Sequence, residues 1–149
     1  MMSLGSRLLL FRVGDLGFCL DLCELVEICE DFEILNTPRL HDAGQAVCGG
    51  MVFRRTTIPV VDLRSRLGLG ASSPARQPHN ALVLHSREGN WALLIDQVEG
   101  FQPSASMQDL PLPPLLVAPG WRCFEQIALY QARPFIKLDL HACYGGLSP

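Results

Sequence analysis

The chain has 149 residues, of which 48% are hydrophobic, and its formal net charge is −3. This length suits one domain or two tightly joined half-domains, and the apolar content is too high for a disordered protein. No run of like charges occurs, so the electrostatic footprint of a nucleic-acid-binding protein is missing. No window reaches the roughly 20 apolar residues of a membrane span, and we expect a cytoplasmic protein without direct membrane insertion.

The first half of the chain predicts short strands separated by turns. Pro59 lacks an N–H donor, so its strand is expected either to be an edge strand or to carry a bulge. The predicted elements are strands at 8–13 and 18–22, a helical turn or bent strand over 22–28, a break at 36–38, a hairpin of 47–53 with 56–61, and a short helix at 63–67.

The second half begins after residues 70–79, whose Ser and Pro content predicts a linker. Residues 110–114 hold three prolines and cannot be regular helix or strand; an extended connection is favoured over a proline-rich ligand segment. The predicted hairpins are 81–85 with 91–95 and 124–130 with 134–138.

The hydrophobic pattern of the first half returns in the second. An offset of 73 places Phe18 on Trp91 and Leu20 on Leu93, and further along an offset of 77 places Asp62 on Asp139. A period near half the chain indicates two similar units. We predict a first β-barrel unit at 8–69, the linker at 70–79 and a second β-barrel unit at 80–149, because many short strands with turns at this spacing are typical of small barrels.

The six cysteines show no metal-ligand spacing. Alternation along the strand at 18–22 leaves Cys19 on the more exposed face. The thiols at 23, 29, 48 and 123 adjoin apolar residues, and we expect most of them to be reduced and buried.

No catalytic motif is present. The sequence lacks a nucleophile elbow, an HExxH helix and a glycine-rich phosphate loop. Asp62 and Asp139 occupy equivalent places, where capping the turn after a strand explains both. A weak hydrolase that uses one of them is the least favoured alternative, and we predict no catalytic, metal or cofactor site.

Three motifs together resemble the CheW-like family. Residues 49–64 resemble the family signature G-V-I-N-L-R-G-x-V-x-P-V-x-D-L-R, which includes the structural motif residues Pro59, Asp62, Leu63 and Arg64. Residues 25–28 resemble the V-x-E-I element upstream, and residues 94–98 resemble the L-V-D-x-V element downstream.

The resemblance implies a mainly all-β fold in which residues 1–149 form a single CheW-like domain of two five-stranded SH3-like β-barrels around a shared core. It also implies a non-enzymatic adaptor without cofactors. Such an adaptor couples the cytoplasmic tip of a chemoreceptor to the regulatory domain of a CheA-type histidine kinase. The alternatives are a divergent CheW-like paralogue in a pilus-motility or other pathway, and a β-barrel that binds a small ligand.

The resemblance also assigns residues to partners. It implies kinase-binding roles for Leu25, Glu27 and Ile28, although Leu25 and Ile28 are equally well explained as core. Receptor binding is implied for Gly49 and Arg54, with Arg55 beside them. The chain departs from the family at two positions, where Val52 replaces an asparagine and Arg55 replaces a turn glycine.

Overall fold

The structure is a computed structural model that describes residues 6–36, 47–66, 80–111 and 124–140. The predicted linker, most of the proline-rich segment, Cys123 and Cys143 lie outside these ranges. The regular secondary structure of the described chain is mainly β-strand. In chain order the strands are β1 Arg7–Val13, β2 Leu16–Asp21, β3 Leu25–Cys29, β4 Val47–Phe53, β5 Thr56–Asp62, β6 Asn80–Ser86, β7 Gly89–Ile95, β8 Gln97–Pro103, β9 Gln108–Leu110, β10 Phe124–Tyr130 and β11 Arg133–Leu138.

Helical structure in the described ranges is short. One turn of helix, Leu63–Arg66, follows β5 as predicted. Two 3₁₀ turns lie at Leu22–Glu24 and Ser104–Ser106. The predicted helical turn or bent strand over 22–28 is therefore both, since a 3₁₀ turn leads directly into β3. None of the helices in the described part is long and apolar enough to cross a membrane.

The strands form two sheets. The five-stranded sheet has the order β3-β6-β7-β5-β4, and the six-stranded sheet has the order β8-β1-β2-β11-β10-β9. The repeat seen in the sequence is present in the structure, because β1 to β5 correspond to β6, β7, β8, β10 and β11. The six-stranded sheet contains the first hairpin of the first repeat, β1 and β2, together with β8, β10 and β11 of the second repeat. The five-stranded sheet contains the first hairpin of the second repeat, β6 and β7, together with β3, β4 and β5 of the first repeat. The sheets therefore do not follow the sequence halves, and the unit boundaries at 8–69 and 80–149 stay a prediction.

Strand pairing shows that the two sheets are equivalent. Leu9 pairs with Phe101 in the six-stranded sheet, and Ile28 pairs with Leu82 in the five-stranded sheet. Leu82 and Phe101 lie 73 positions after Leu9 and Ile28, so the two pairs are the same contact in the two repeats. Both ladders also contain a bulge.

Three hydrophobic clusters stabilise this arrangement. One belongs to the five-stranded sheet and contains Met51, Phe53 and Val83. A second belongs to the six-stranded sheet and contains Leu10 and Phe135. The third is shared between the sheets, and its members include Leu9, Phe18, Val61, Leu63, Leu82 and Trp91. Each strand that lies between two clusters is apolar on both faces, which explains the continuous buried run Leu8–Phe11 in β1.

The burial predicted for the cysteines was wrong. Cys19 is buried, because the second face of β2 packs in the cluster of the six-stranded sheet. Cys23 and Cys48 are exposed, and Cys29 is half-buried. An apolar sequence neighbour does not bury a residue at the rim of a sheet.

Pro59 does not lie in an edge strand, since β5 is flanked by β4 and β7. It is tolerated because its ladder with β7 begins only at Val60, and because its partner across the hairpin is Gly50. Strand β5 does not carry the predicted bulge either, because the register shift between Val47 and Gly49 places the extra residue in its partner β4.

Candidate docking surface

The exposed tip of the β4–β5 hairpin contacts strand β3. Arg54 Nη2 donates to Glu27 Oε1 at 3.4 Å, and the two side chains are 67% and 48% exposed. The Arg54 guanidinium also lies 4.8 Å from the centre of the Phe53 ring, which is buried. The structure thus brings together one residue that the resemblance assigns to the kinase and one that it assigns to the receptor.

The hairpin turn itself has an unusual composition. Arg54 and Arg55 have φ values of 49° and 67°, so both adopt the left-handed conformation of a two-residue type I′ turn. The equivalent turn between β10 and β11 has the same shape, with φ values of 51° at Gln131 and 63° at Ala132. Neither turn contains a glycine or an asparagine, the residues that usually tolerate this conformation. The backbone at Arg55 is thus left-handed although the glycine of the family signature is absent there.

Gly49 lies beneath another part of the chain. A Cβ atom at this position would meet the Leu35 carbonyl oxygen at 2.6 Å and Ile34 Cγ2 at 3.0 Å. Leu35 approaches so closely because it exchanges backbone hydrogen bonds with Gly50, at 2.7 and 2.9 Å. Gly49 is thus buried, and a glycine is required there for packing. A receptor role for this position stays a prediction.

Leu25 and Ile28 are half-buried and pack against the shared cluster. Glu27 lies between them in β3 with its side chain on the exposed surface. Of the three positions assigned to the kinase, Glu27 is the one most accessible to a partner in this conformation. The kinase assignment of all three stays a prediction.

The signature residues after β5 connect the two sheets. Leu63 is fully buried in the shared cluster, and Asp62 Oδ1 accepts a hydrogen bond of 3.1 Å from the Arg64 N–H. The Arg64 guanidinium donates to Asp96 Oδ2 at 2.7 Å, and the same oxygen accepts from the Gly14 N–H at 2.5 Å. Asp96 therefore holds together the end of β5, the start of β8 and the β1–β2 turn.

A second ion cluster lies at one end of the six-stranded sheet. Glu99 accepts hydrogen bonds from Arg12 and, at 3.0 and 3.2 Å, from Arg133. Both guanidinium groups lie near the Phe135 ring, at 5.9 and 5.4 Å from its centre. Burial pulls the pKa of Glu99 upward, but the hydrogen bonds from the two arginines outweigh it, and the net pKa lies below the usual value.

This ion cluster distinguishes the two sheets. Glu99 is the extra residue of the bulge in β8, and the equivalent residue of β3 is Val26, which packs against the cluster of the five-stranded sheet. At equivalent bulges, one sheet thus has a charged side chain that binds two arginines, and the other has an apolar side chain that packs in a hydrophobic cluster.

The described residues offer little for catalysis or ligand chemistry. Burial raises the pKa of the Cys29 thiol, and the Glu27 carboxylate raises it further. Cys48 is exposed to solvent, but neighbouring atoms partly desolvate its thiol; this desolvation raises the pKa of Cys48, and the Asp62 carboxylate raises it further, so neither thiol is activated. No group of three or more His, Cys, Asp or Glu side chains in the described ranges is placed to hold a metal.

One open depression of about 470 Å³ lies beside the β10–β11 turn. No charged residue lines it, and its walls include Met107, Gln108, Leu129 and Gln131. A specific small-molecule site is usually more enclosed and has convergent polar groups. The depression therefore does not favour the alternative of a ligand-binding barrel.

Two β-sheets that share one hydrophobic cluster define a small all-β domain. The chain belongs to the CheW-like domain family, whose model matches residues 7–143. This is a family of scaffold and adaptor proteins in chemotaxis.

Two known proteins are similar to this chain. A chemotaxis protein CheW of Rhizobium meliloti (strain 1021) is 31% identical over 109 residues, which is 73% of this chain and 68% of that protein. The crystal structure of the scaffolding protein TtCheW from Thermoanaerobacter tengcongensis superposes with a TM-score of 0.75. It covers 93% of this chain and 91% of the other at 23% identity. The structural likeness shows the same fold.

The sequence interpretation did not identify Asp96 or Glu99 as individual residues. Asp96 had a signal, since it is the aspartate of the L-V-D-x-V element. Glu99 had none, because its partners Arg12 and Arg133 are 87 and 34 residues away.

Proposed function

We propose that the chain is a non-enzymatic adaptor that couples the cytoplasmic tip of a chemoreceptor to the regulatory domain of a CheA-type histidine kinase. The contact between Glu27 and Arg54 carries the proposal, because it joins on one exposed surface a position assigned to each partner. An adaptor of this kind needs both contacts on one rigid body. Strand β3 and the β4–β5 hairpin belong to the same sheet, which meets that need.

The energetics of the pair favour a role in binding over a role in folding. Both side chains are about half or more exposed, and ion pairs of this kind contribute about 0–1 kcal/mol to stability. Charged groups at an interface contribute chiefly to specificity and to the rate of association. Glu27 is therefore a better test position than Leu25, since an arginine at the half-buried Leu25 would place a charge against the shared cluster and destabilise the fold.

The experiment is calorimetric titration of the full chain with a kinase regulatory domain. We expect Glu27→Lys to weaken binding by at least about tenfold, equal to 1.4 kcal/mol, while its thermal unfolding stays close to wild type. The matched control is Glu30→Lys, which makes the same charge change at an exposed position just after β3. Equal binding by the two variants would show that Glu27 is not in the interface.

The second candidate is an adaptor of the same kind in a pilus-motility or other pathway. The observation that favours it is Val52, which is 59% exposed where the family has an asparagine. An exposed valine replaces a hydrogen-bonding amide next to the proposed receptor-facing tip. Parallel titrations with receptor tips from flagellar and pilus systems would distinguish the two, because only the preferred class should bind in the micromolar range or better.

A further inference from the structure

The outer edge of β4 is open beside Val52. Gly50 lies opposite Pro59 and directs its own N–H and C=O away from β5, to the hydrogen bonds with Leu35 at 2.9 and 2.7 Å. Backbone groups of an antiparallel strand alternate in direction, so Val52, two residues later, directs its N–H and C=O to the same outer edge. Within the described ranges, no backbone group pairs with Val52 on that side.

The equivalent edge of the six-stranded sheet is closed. Strand β9 pairs there with Ile127 and Leu129, which lie 77 positions after Gly50 and Val52. Among the residues that the structure describes, the corresponding edge of the five-stranded sheet has only the isolated bridge to Gly50, and no strand pairs with Val52 there. In this part of the chain, one edge thus has its added strand and the equivalent edge lacks it.

We propose that the edge of β4 beside Val52 accepts an extended segment of a partner protein as an added antiparallel strand. In this mode of recognition backbone hydrogen bonds supply affinity and alternate side chains supply specificity. The side chain of Val52 presents apolar surface, so the segment carries an apolar or small residue beside it.

The hairpin tip adds a charge preference. Arg54 and Arg55 occupy the place that Gln131 and Ala132 occupy in the closed hairpin. No ion pair of Arg55 occurs within the described ranges, and the only one of Arg54 there is the exposed contact with Glu27. The segment therefore has a carboxylate at its end nearest the tip, where an arginine fork can bind it. This inference does not depend on the receptor and kinase assignments above.

Two other occupants are possible for this edge. One is the chain's own segment that contains Glu33. Because Glu33 lies two residues before Leu35, it would pair with Val52 in the way that Gln108 pairs with Leu129 in the other sheet. A second copy of the chain would instead pair its own β4 edge with this one. Hydrogen exchange of single amides distinguishes both from a partner segment.

The first measurement is amide hydrogen exchange of the full chain by NMR at two concentrations. We expect rapid exchange at Val52 and slow exchange at Leu129, at both concentrations. Protection of Val52 in the dilute protein would show that the chain covers its own edge. Protection that rises with concentration would show self-pairing. Either result would overturn the proposal.

The second measurement adds a probe peptide copied from the strand that closes the other edge. Its sequence is Glu-Met-Val-Asp-Leu-Pro, which is residues 106–111 with glutamate in place of Ser106 and with valine in place of Gln108, the residue that would lie opposite Val52. The control peptide has lysine in place of that glutamate. We expect the glutamate peptide to slow Val52 exchange about threefold at twice its dissociation constant. The lysine peptide should bind more weakly, with a difference that shrinks as salt is added.

Matched variants complete the test. Val52→Pro removes the outward N–H and leaves the bonds between β4 and β5 in place, whereas Val52→Thr keeps both the N–H and the shape. Because Val52→Pro has no N–H at position 52, peptide binding to this variant is measured from the chemical shifts of the neighbouring Phe53 and Arg54 amides. We expect peptide binding to be lost in Val52→Pro and kept in Val52→Thr, with both spectra otherwise folded. Binding by Val52→Pro equal to wild type, or no effect of the glutamate peptide at millimolar concentration, would refute the added strand.

Discussion

Arg64 and Asp96 form an ion pair of 2.7 Å that joins two of the three sequence motifs, although 32 residues separate them. The Arg64 side chain is 13% exposed, so its charge is largely removed from water. The same Asp96 oxygen also accepts the Gly14 N–H. One carboxylate thus holds the arginine of the signature and the turn between β1 and β2.

This geometry predicts that Asp96→Ala destabilises the chain by about 2 kcal/mol, because it leaves a largely buried guanidinium and a backbone N–H unpaired. The melting temperature should fall by about 4–8 °C. Glu88→Ala is the control, since Glu88 lies in the exposed β6–β7 turn and should change stability by less than about 0.5 kcal/mol. A double-mutant cycle with Arg64→Ala should show strong coupling, and additive effects would contradict the proposed pairing.

The type I′ turns predict that glycine substitutions stabilise the fold. Arg55 has φ of 67° and Ala132 has φ of 63°, and each pays the steric cost of a left-handed backbone. Arg55→Gly and Ala132→Gly should each raise the free energy of unfolding by about 1 kcal/mol. Arg55→Ala keeps the strained conformation and serves as control, with little change expected. Denaturant unfolding measures all three, and a destabilised Arg55→Gly would show that the Arg55 side chain contributes more than the turn strain costs.

The ion cluster around Glu99 predicts a pH dependence. Its folded pKa lies below the usual value, so the charged carboxylate favours the folded state. This stabilisation is complete above the usual glutamate pKa, near 4.3, and is lost as the pH falls through the lower folded pKa. Glu99→Gln should be less stable than wild type at about pH 6, and the difference should close toward about pH 3. A constant difference across this range would show that titration of Glu99 is not involved. Glu88→Gln is the exposed control.

The burial of Gly49 predicts that Gly49→Ala costs about 1–3 kcal/mol, because the new methyl group meets the Leu35 carbonyl oxygen at 2.6 Å. Either the Leu35–Gly50 bridge breaks or β4 shifts. The neighbouring Cys48 is exposed, and Cys48→Ala should leave stability within about 0.5 kcal/mol of wild type. Thermal unfolding of both variants measures these changes in stability. A Gly49→Ala variant as stable as Cys48→Ala would show that Leu35 moves away from the new methyl group without a loss of stability.

Much of the strand content could be predicted from the sequence, since alternation and turn residues are local signals. The repeat was also visible, because equivalent strands have equivalent apolar patterns. The exchange of hairpins between the repeats was not predictable from that pattern. Leu9 pairs with Phe101 rather than with Ile28, and both partners are apolar residues at equivalent positions. The sequence would have the same period whether each hairpin paired within its own repeat or with the other repeat. The geometry of the connections between strands selects the second arrangement.

Strand β8 shows why the ion cluster around Glu99 was not predicted from the sequence. It lies at a sheet edge, alternates between exposed and half-buried residues, and contains Glu99 at its bulge, so no continuous apolar signal marks it. The exposed Glu27 and Arg54 came from the resemblance to the family. Their contact with each other depends on how the edges of the five-stranded sheet approach one another, which no local pattern contains.

Arg54 supports a last prediction, on receptor binding. Its guanidinium is exposed and is held over Phe53 by a 4.8 Å cation–π contact, with Glu27 at 3.4 Å. Arg54→Ala removes a charge that is ready to bind a carboxylate on a receptor tip, and exposed charges act most strongly at low salt. We expect its dissociation constant for a receptor-tip fragment to rise several-fold at about 50 mM salt and much less at about 500 mM. Stability should change by no more than about 1 kcal/mol. Arg87→Ala is the matched control, because it removes an exposed arginine from the turn of a different hairpin. Equal binding by wild type and Arg54→Ala at all salt concentrations, or the same loss in Arg87→Ala, would mean that Arg54 has no specific receptor contact.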